Sequence, residues 1–252
     1  MSVLNKLKAI IWPVVYIILI ATVCVNVALI FHSYYYTPIY ISGQSMEPTL
    51  DGFGEMVDYG IIDDHPYAID NVTKRKNRFK IITTYYPFAN GSSSDYKGGY
   101  VHGGENVLDE NASYKIKRIY AFPGECFKFE TDGSTVNFYV KDGTSPLTWE
   151  GVKPCQITFD RKIDLTNTSR NYNYVHDEPL GEDEYWVMGD NYDQSFDCFS
   201  TKKPIYRDNI VGVLIAIEGQ CKISSMAKEG DDGTHISATC TNRKRYAWPK
   251  YF

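Results

Sequence analysis

Ser45 stands in Ile41–Leu50, ISGQSMEPTL, a glycine-containing stretch closed by Pro-Thr-Leu. A serine in a turn ordinarily caps or bonds its own neighbours. It attacks a carbonyl only when a base removes its proton. Histidine is the usual base, but His32, His65, His102, His176 and His235 show no metal-ligand spacing and no context that suggests a triad, so they read as structural or surface residues. A lysine can replace histidine if its amine is neutral, which requires burial to lower its pKa by several units from about 10.4. Tyr114–Glu125, YKIKRIYAFPGE, offers such a lysine inside a strand. Alternation sets Lys115, Lys117 and Ile119 on one face, with Tyr114, Ile116, Arg118 and Tyr120 on the other. Lys117, flanked by Ile116, Ile119 and Tyr120, is the candidate base, against the ordinary expectation that a strand lysine faces water. A third segment, Val187–Phe199 (VMGDNYDQSFDCF), ends a strand in a Gly-Asp-Asn turn followed by Ser195 and Asp197. Asp190, Asp193 and Asp197 lack the D-x-D-x-D-G spacing of a calcium loop, so no metal is expected there.

Such groups need a scaffold that brings three distant segments together. Short runs rich in β-branched and aromatic residues recur between turn signals at Glu55–Tyr59, Phe79–Tyr86, Tyr114–Tyr120, Cys126–Glu130, Val136–Val140, Gln156–Phe159, Glu184–Met188 and Ile210–Ile217. No long amphipathic helix interrupts them, and Tyr 21, Phe 12 and Trp 4 also lean towards β structure. The expectation is a mainly β domain of antiparallel sheets. Polar or glycine-rich stretches at 89–111 and 160–179 read as insertions, and Lys74–Arg78 (KRKNR) as a solvated turn.

Ahead of this domain, Ala9–Phe31 runs for 23 residues without a formal charge. As a helix it would measure about 34 Å, against a hydrocarbon core of roughly 30 Å. It is apolar all round, unlike a surface helix, and longer than the apolar part of a cleaved leader. Residues 1–8 carry Lys6 and Lys8, and no Lys or Arg follows the span until Lys74. The charge bias therefore places the N-terminus in the cytoplasm and residues 32–219 outside. The whole chain has a net charge of −5, and without the two leader lysines 24 basic and 31 acidic residues remain, a net of −7. A general nucleic-acid binder is thus not expected. Six cysteines in 252 residues are too few for a disulfide scaffold. Five lie outside the span, and Cys221–Cys240 is one candidate pair among connectivities that sequence leaves open.

Together the anchor, SGQSMEPTL, YKIKRIYAFPGE and MGDNYDQSFD resemble, in order, the serine, lysine and GDN boxes of the bacterial type I signal peptidases, over the anchor and about residues 41–217. These are membrane-bound Ser–Lys endopeptidases, and with Gly43 this chain resembles the Gram-positive members. The resemblance implies Ser45 as nucleophile and Lys117 as general base. Ser195 matches the serine that orients the lysine amine, Asp197 a structural acid, and Met46 a residue packed near the substrate pocket. It implies no cofactor, signal peptides and the bilayer as partners, and small residues at the first and third positions before the cut. Gly43 stands where some members place an oxyanion-hole serine, leaving the Ser45 N–H as the donor that can be named.

Three departures stand out. Phe199 replaces an arginine that often pairs with the acid matching Asp197, which leaves room for a relative that has lost catalysis and serves as an assembly factor. Ala121 replaces a glycine. The R-G-D-[IV] box appears only loosely as Arg78-Phe79-Lys80-Ile81. A self-cleaving repressor of Ser–Lys type is a further alternative, against which the membrane anchor counts. Residues 220–252 lie beyond the family core, and their basic, aromatic end suits either an anionic lipid surface or a strand packed back on the domain.

Overall fold

The structure is a computed structural model that describes residues 3–85, 100–102, 105–107, 114–132, 135–145, 148–155, 173–225 and 237–242. The chain forms two compact units, Met1–Thr37 and Pro38–Phe252.

The first unit is essentially one helix, α1 (Val3–Tyr35), which extends the expected span at both ends. Its segment Ile11–Ile30 is long and apolar enough to cross a membrane, and none of it is buried. A core helix would hide such a surface. Polar groups within the span are satisfied locally: Thr22 Oγ1 donates to the Ile18 carbonyl and Asn26 Nδ2 to that of Thr22, both at 2.8 Å.

The second unit is mainly β. Its principal sheet contains β1 (Tyr36–Tyr40), β2 (Met56–Asp63), β3 (Ile81–Tyr85), β6 (Tyr114–Ala121), β10 (Glu184–Met188), β11 (Ile205–Tyr206), β12 (Ile210–Ser225) and β13 (Ser237–Asn242). The order is β1-β2-β12-β3-β6-β10-β11, with β13 added to β12. A second sheet has the order β8-β7-β9, from β7 (Glu125–Asp132), β8 (Thr135–Asp142) and β9 (Tyr174–His176). β4 (Tyr100–His102) and β5 (Glu105–Val107) pair as a hairpin. Pairing from β2 onward is antiparallel. Among the described residues the unit also has two short α-helices, α2 (Pro66–Val72), capped by His65 Nδ1 accepting the Tyr67 N–H, and α3 (Cys198–Thr201).

The aromatic richness of the sequence is used between the sheets. Phe127, Phe129 and Phe138 of the second sheet pack against Tyr120 and Trp186 of the first, with Trp186 4.7 Å from Phe127 between ring centroids. A smaller cluster joins Ile41, Met46 and Leu50 to Ile62, Ile81, Leu214 and Ile217. Between the two clusters β6 is buried from Lys117 to Ala121. A strand covered on both faces makes every side chain an interior one, polar or not.

Several local expectations change. KRKNR is not simply a solvated turn. Arg78 is largely buried and grips Glu125 with both nitrogens, at 2.9 and 2.6 Å, while Arg75 bonds Asp142 and the Pro123 carbonyl. These contacts fasten the turn that follows β6. The strand expected from Phe79 begins instead at Ile81, because Phe79 adopts φ 70. That is the backbone sign a glycine takes readily, and it stands where the R-G-D-[IV] pattern has glycine. The stretch 160–179 ends in β9, whose Tyr174 stacks on Trp186 at 5.5 Å. The strand expected at Gln156–Phe159 and residues 243–252 of the basic, aromatic end lie outside the described residues.

Candidate active site

Ser45 occupies a 3-10 turn, Gln44–Met46, directly after the chain leaves the main sheet. The turn is held from beneath and from both sides. Met46 is buried against Ile41, Leu50 and Ile62, so it packs under the serine as part of the hydrophobic floor. Gly43 enters the turn at φ 93, which a side chain rarely tolerates, and its N–H donates to the Gly52 carbonyl at 2.8 Å. The Leu50 N–H closes the far side on the Met46 carbonyl. From the GDN segment, Asn191 donates its N–H to the Ser45 carbonyl at 3.1 Å. Gly189 comes so close that a Cβ there would collide with that carbonyl and with the Ser195 side chain.

Lys117 meets the serine from β6. Its Nζ lies 2.9 Å from Ser45 Oγ, and the residue is 1% exposed. Burial brings the Lys117 pKa down from 10.5 to about 8, and the neighbouring Lys115 charge pushes the same way, while Asp197, Asp190 and Cys198 oppose it. Desolvation wins because the ammonium of a residue only 1% exposed loses more hydration than the nearby carboxylates return. The amine is thereby poised to be neutral in a substantial fraction just below pH 8.

Ser195 and Asp197 lie behind this pair, both buried. Burial raises the Asp197 carboxyl, and the neighbouring Ser195 hydroxyl lowers it. Two main-chain donors also hold it: the Gly189 N–H reaches Oδ2 at 2.9 Å and the Phe199 N–H reaches Oδ1 at 3.0 Å. The second bond makes Asp197 the N-cap of α3. Phe199, in place of an arginine, therefore still serves the acid through its backbone. Its ring packs into the core, with Lys202 Nζ 3.4 Å from the ring centroid.

The structure adds groups that alternation alone did not single out. Arg118 and Asp190 form a buried bidentate pair, Nε to Oδ1 at 2.8 Å and Nη2 to Oδ2 at 2.6 Å, and Arg118 also bonds the Phe79 carbonyl. Tyr120 and Tyr192 share a hydroxyl contact of 2.9 Å. Both pairs tie the lysine strand to the GDN turn. Their sequence signal was the adjacency of Arg118 to Lys117 and of Asp190 to the glycine of the turn. Among the described residues no group of three or more His, Cys, Asp and Glu side chains could hold a metal ion.

A buried amine at bonding distance from a serine hydroxyl, with backbone N–H groups free by construction in the first positions of the 3-10 turn, can activate an oxygen nucleophile and stabilise an oxyanion. No curated protein matches the chain. Residues 11–217 match the family described as signal peptidase, peptidase S26.

Proposed function

The chain belongs to the signal peptidase family, peptidase S26, which covers most of its length, and from that premise we propose that it is a membrane-bound serine endopeptidase removing N-terminal signal peptides from exported preproteins. The observation that carries the catalytic part is the 2.9 Å separation of Lys117 Nζ and Ser45 Oγ in a buried setting.

Neutral Lys117 takes the Ser45 proton as Oγ attacks the scissile carbonyl. The oxyanion is received by the Ser45 N–H, and one such donor is typically worth about 3–4 kcal/mol. The C–N bond breaks, the lysine ammonium gives its proton to the leaving amine, and an acyl-serine remains. Lys117 then deprotonates water, which attacks the ester, and the proton returns to Ser45 Oγ. We assign Asp197 the role of fixing the lysine's charge environment, Ser195 that of orienting the amine together with Asp197, and Gly43 and Met46 that of shaping the nucleophile's turn. Cleavage follows small-x-small sequences.

The apolar helix fits a single-pass membrane protein. The bias of Lys6 and Lys8 ahead of the span puts the N-terminus in the cytoplasm and the catalytic unit outside. The alternative of an impaired assembly factor drew its support from Phe199. The Phe199 and Gly189 N–H groups anchor Asp197 without an arginine, which removes that support.

The test is processing of a precursor with a small-x-small site by the detergent-purified chain. Ser45→Ala, Lys117→Ala and Lys117→Arg are each expected to abolish cleavage while remaining folded, the last because guanidinium cannot be deprotonated. Full activity of Lys117→Ala would refute the assigned base.

A further inference from the structure

β12 does not stop where the family match stops, at residue 217. It continues to Ser225 and carries β13 on one edge while β2 runs along the other. Gln220 faces Asp58 of β2 and Asn242 of β13, and Cys221, disulfide-bonded to Cys240, faces Val57. Two side chains of this extension reach the loop that follows the serine turn. Gln220 Nε2 donates to Asp51 Oδ2 at 2.8 Å, and Lys222 Nζ pairs with Glu55 at 3.1 Å.

That loop carries the nucleophile's support. Asp51 and Asp58 exchange bonds, Asp51 N–H to Asp58 Oδ2 at 2.8 Å and Asp58 N–H to the Asp51 carbonyl at 2.7 Å. The adjoining Gly52 carbonyl accepts the Gly43 N–H, at the entry to the Ser45 turn. Asp51 therefore connects residue 220 to residue 43 through main chain and two hydrogen bonds, Gln220 to Asp51 and Gly43 to Gly52. Lys222–Glu55 is exposed on both sides and contributes little. Gln220–Asp51 is half-buried and charge-assisted, which makes it the stronger link.

We propose that the extension beyond residue 217 is a brace for the catalytic serine, in which Gln220 is a positioning residue acting through Asp51, and the Cys221–Cys240 disulfide holds β13 against β12 so that Gln220 keeps its place. The inference rests on the Ser45–Lys117 reading for its kinetic consequences but not for its structural ones. A serine displaced by a fraction of an ångström reacts more slowly while substrate binding is unaffected. The brace therefore acts on kcat, not on KM. Lys117 touches Ser45 but is buried by its own strand, which the brace does not contact, so the pH at which activity rises does not move.

The experiment uses the full chain in detergent with three variants and one treatment. Gln220→Ala removes the donor and is expected to lower kcat about tenfold, the worth of one hydrogen bond to a charged group, with KM and the acid limb unchanged. Gln220→Glu, which sets a carboxylate against Asp51, is expected to be lower still. Gln220→Lys restores a donor and is expected to recover kcat to within about twofold. Reduction of the disulfide is expected to reproduce the Gln220→Ala effect in the wild type and to add little to that variant. Hydrogen exchange is read in parallel, and amides of residues 43–58 are expected to exchange faster in Gln220→Ala and after reduction. Unchanged kcat in Gln220→Ala, or a loss that Gln220→Lys does not restore, overturns the brace. If the wild type and Ser45→Ala are equally inactive, the peptidase reading fails instead. The brace is then judged by exchange alone, and unchanged protection over residues 43–58 overturns it.

Discussion

Lys115 offers a way to ask whether the titrating base is Lys117 without touching it. The two lysines are two positions apart on β6, so they share a face, and their Cα atoms are about 6.6 Å apart by strand rise. The Lys115 charge is one of the causes that hold the Lys117 pKa down near 8. Two unit charges about 7 Å apart interact by about 0.6 kcal/mol in water and about 2.4 kcal/mol at an effective dielectric of 20. At about 1.4 kcal/mol per pH unit, the half-buried setting of Lys115 places the effect of losing its charge near one unit. Lys115→Met is therefore expected to move the acid limb of kcat/KM up by about one pH unit, and Lys115→Glu by about two. At pH 7 the neutral fraction of Lys117, about a tenth in the wild type, then falls by a further ten- to hundredfold. In 1 M salt, where screening acts over about 3 Å, the displacement shrinks. The assay is cleavage of a small-x-small precursor from pH 6 to 10, with unfolding midpoints measured on the same samples. An acid limb that stays in place in a folded Lys115→Glu variant would refute Lys117 as the group being titrated.

The same lowered pKa makes a stability statement. Because the folded value of about 8 lies below the unfolded 10.5, the wild type loses stability as pH falls from about 10.5 to 8 and remains at that lower level below. Lys117→Met is expected to be more stable than the wild type by about 3 kcal/mol at pH 7, an advantage that vanishes above about pH 10.5, as read by denaturant unfolding. Gly189→Ala drives a methyl into the Ser45 carbonyl; cleavage is expected to fall at least about a hundredfold with the fold retained by circular dichroism. Removing one partner of the buried Arg118–Asp190 pair, as Asp190→Ala, is expected to cost about 3–5 kcal/mol in an unfolding titration, and a paired apolar replacement of both much less.

The contact between Ser45 and Lys117 could be anticipated from the sequence because each sits in a short local pattern whose chemistry is narrow. The strand cores were readable for the same reason, as in Glu184–Met188, whose bounds coincide with β10. What escaped was set by distance along the chain. Arg78 finds Glu125 47 residues away, and no local rule separates such an arginine from a solvated one. Alternation put Arg118 on the face opposite Lys117, and an arginine on a strand face reads as solvent-facing. Burial of β6 on both sides depends on which strands flank it, a fact of topology. Phe79 shows a different blind spot, since an aromatic side chain gives no hint that its backbone will take φ 70. The ring contacts with Tyr120 and Phe138, at 5.4 and 6.0 Å, offset that conformation and appear only in the assembled core.

Asp197 receives the amides of Gly189 and Phe199. Peptide N–H groups persist whatever amino acid occupies a site, proline excepted, so this anchorage cannot be lost by point substitution of a cationic companion. Position 199 is thereby released to evolve as a packing residue, and in this chain an aromatic capped by Lys202 fills the space. Inheritance of the acid and inheritance of a counter-charge are separable, and homologues that lack the arginine need not be judged inert on that account.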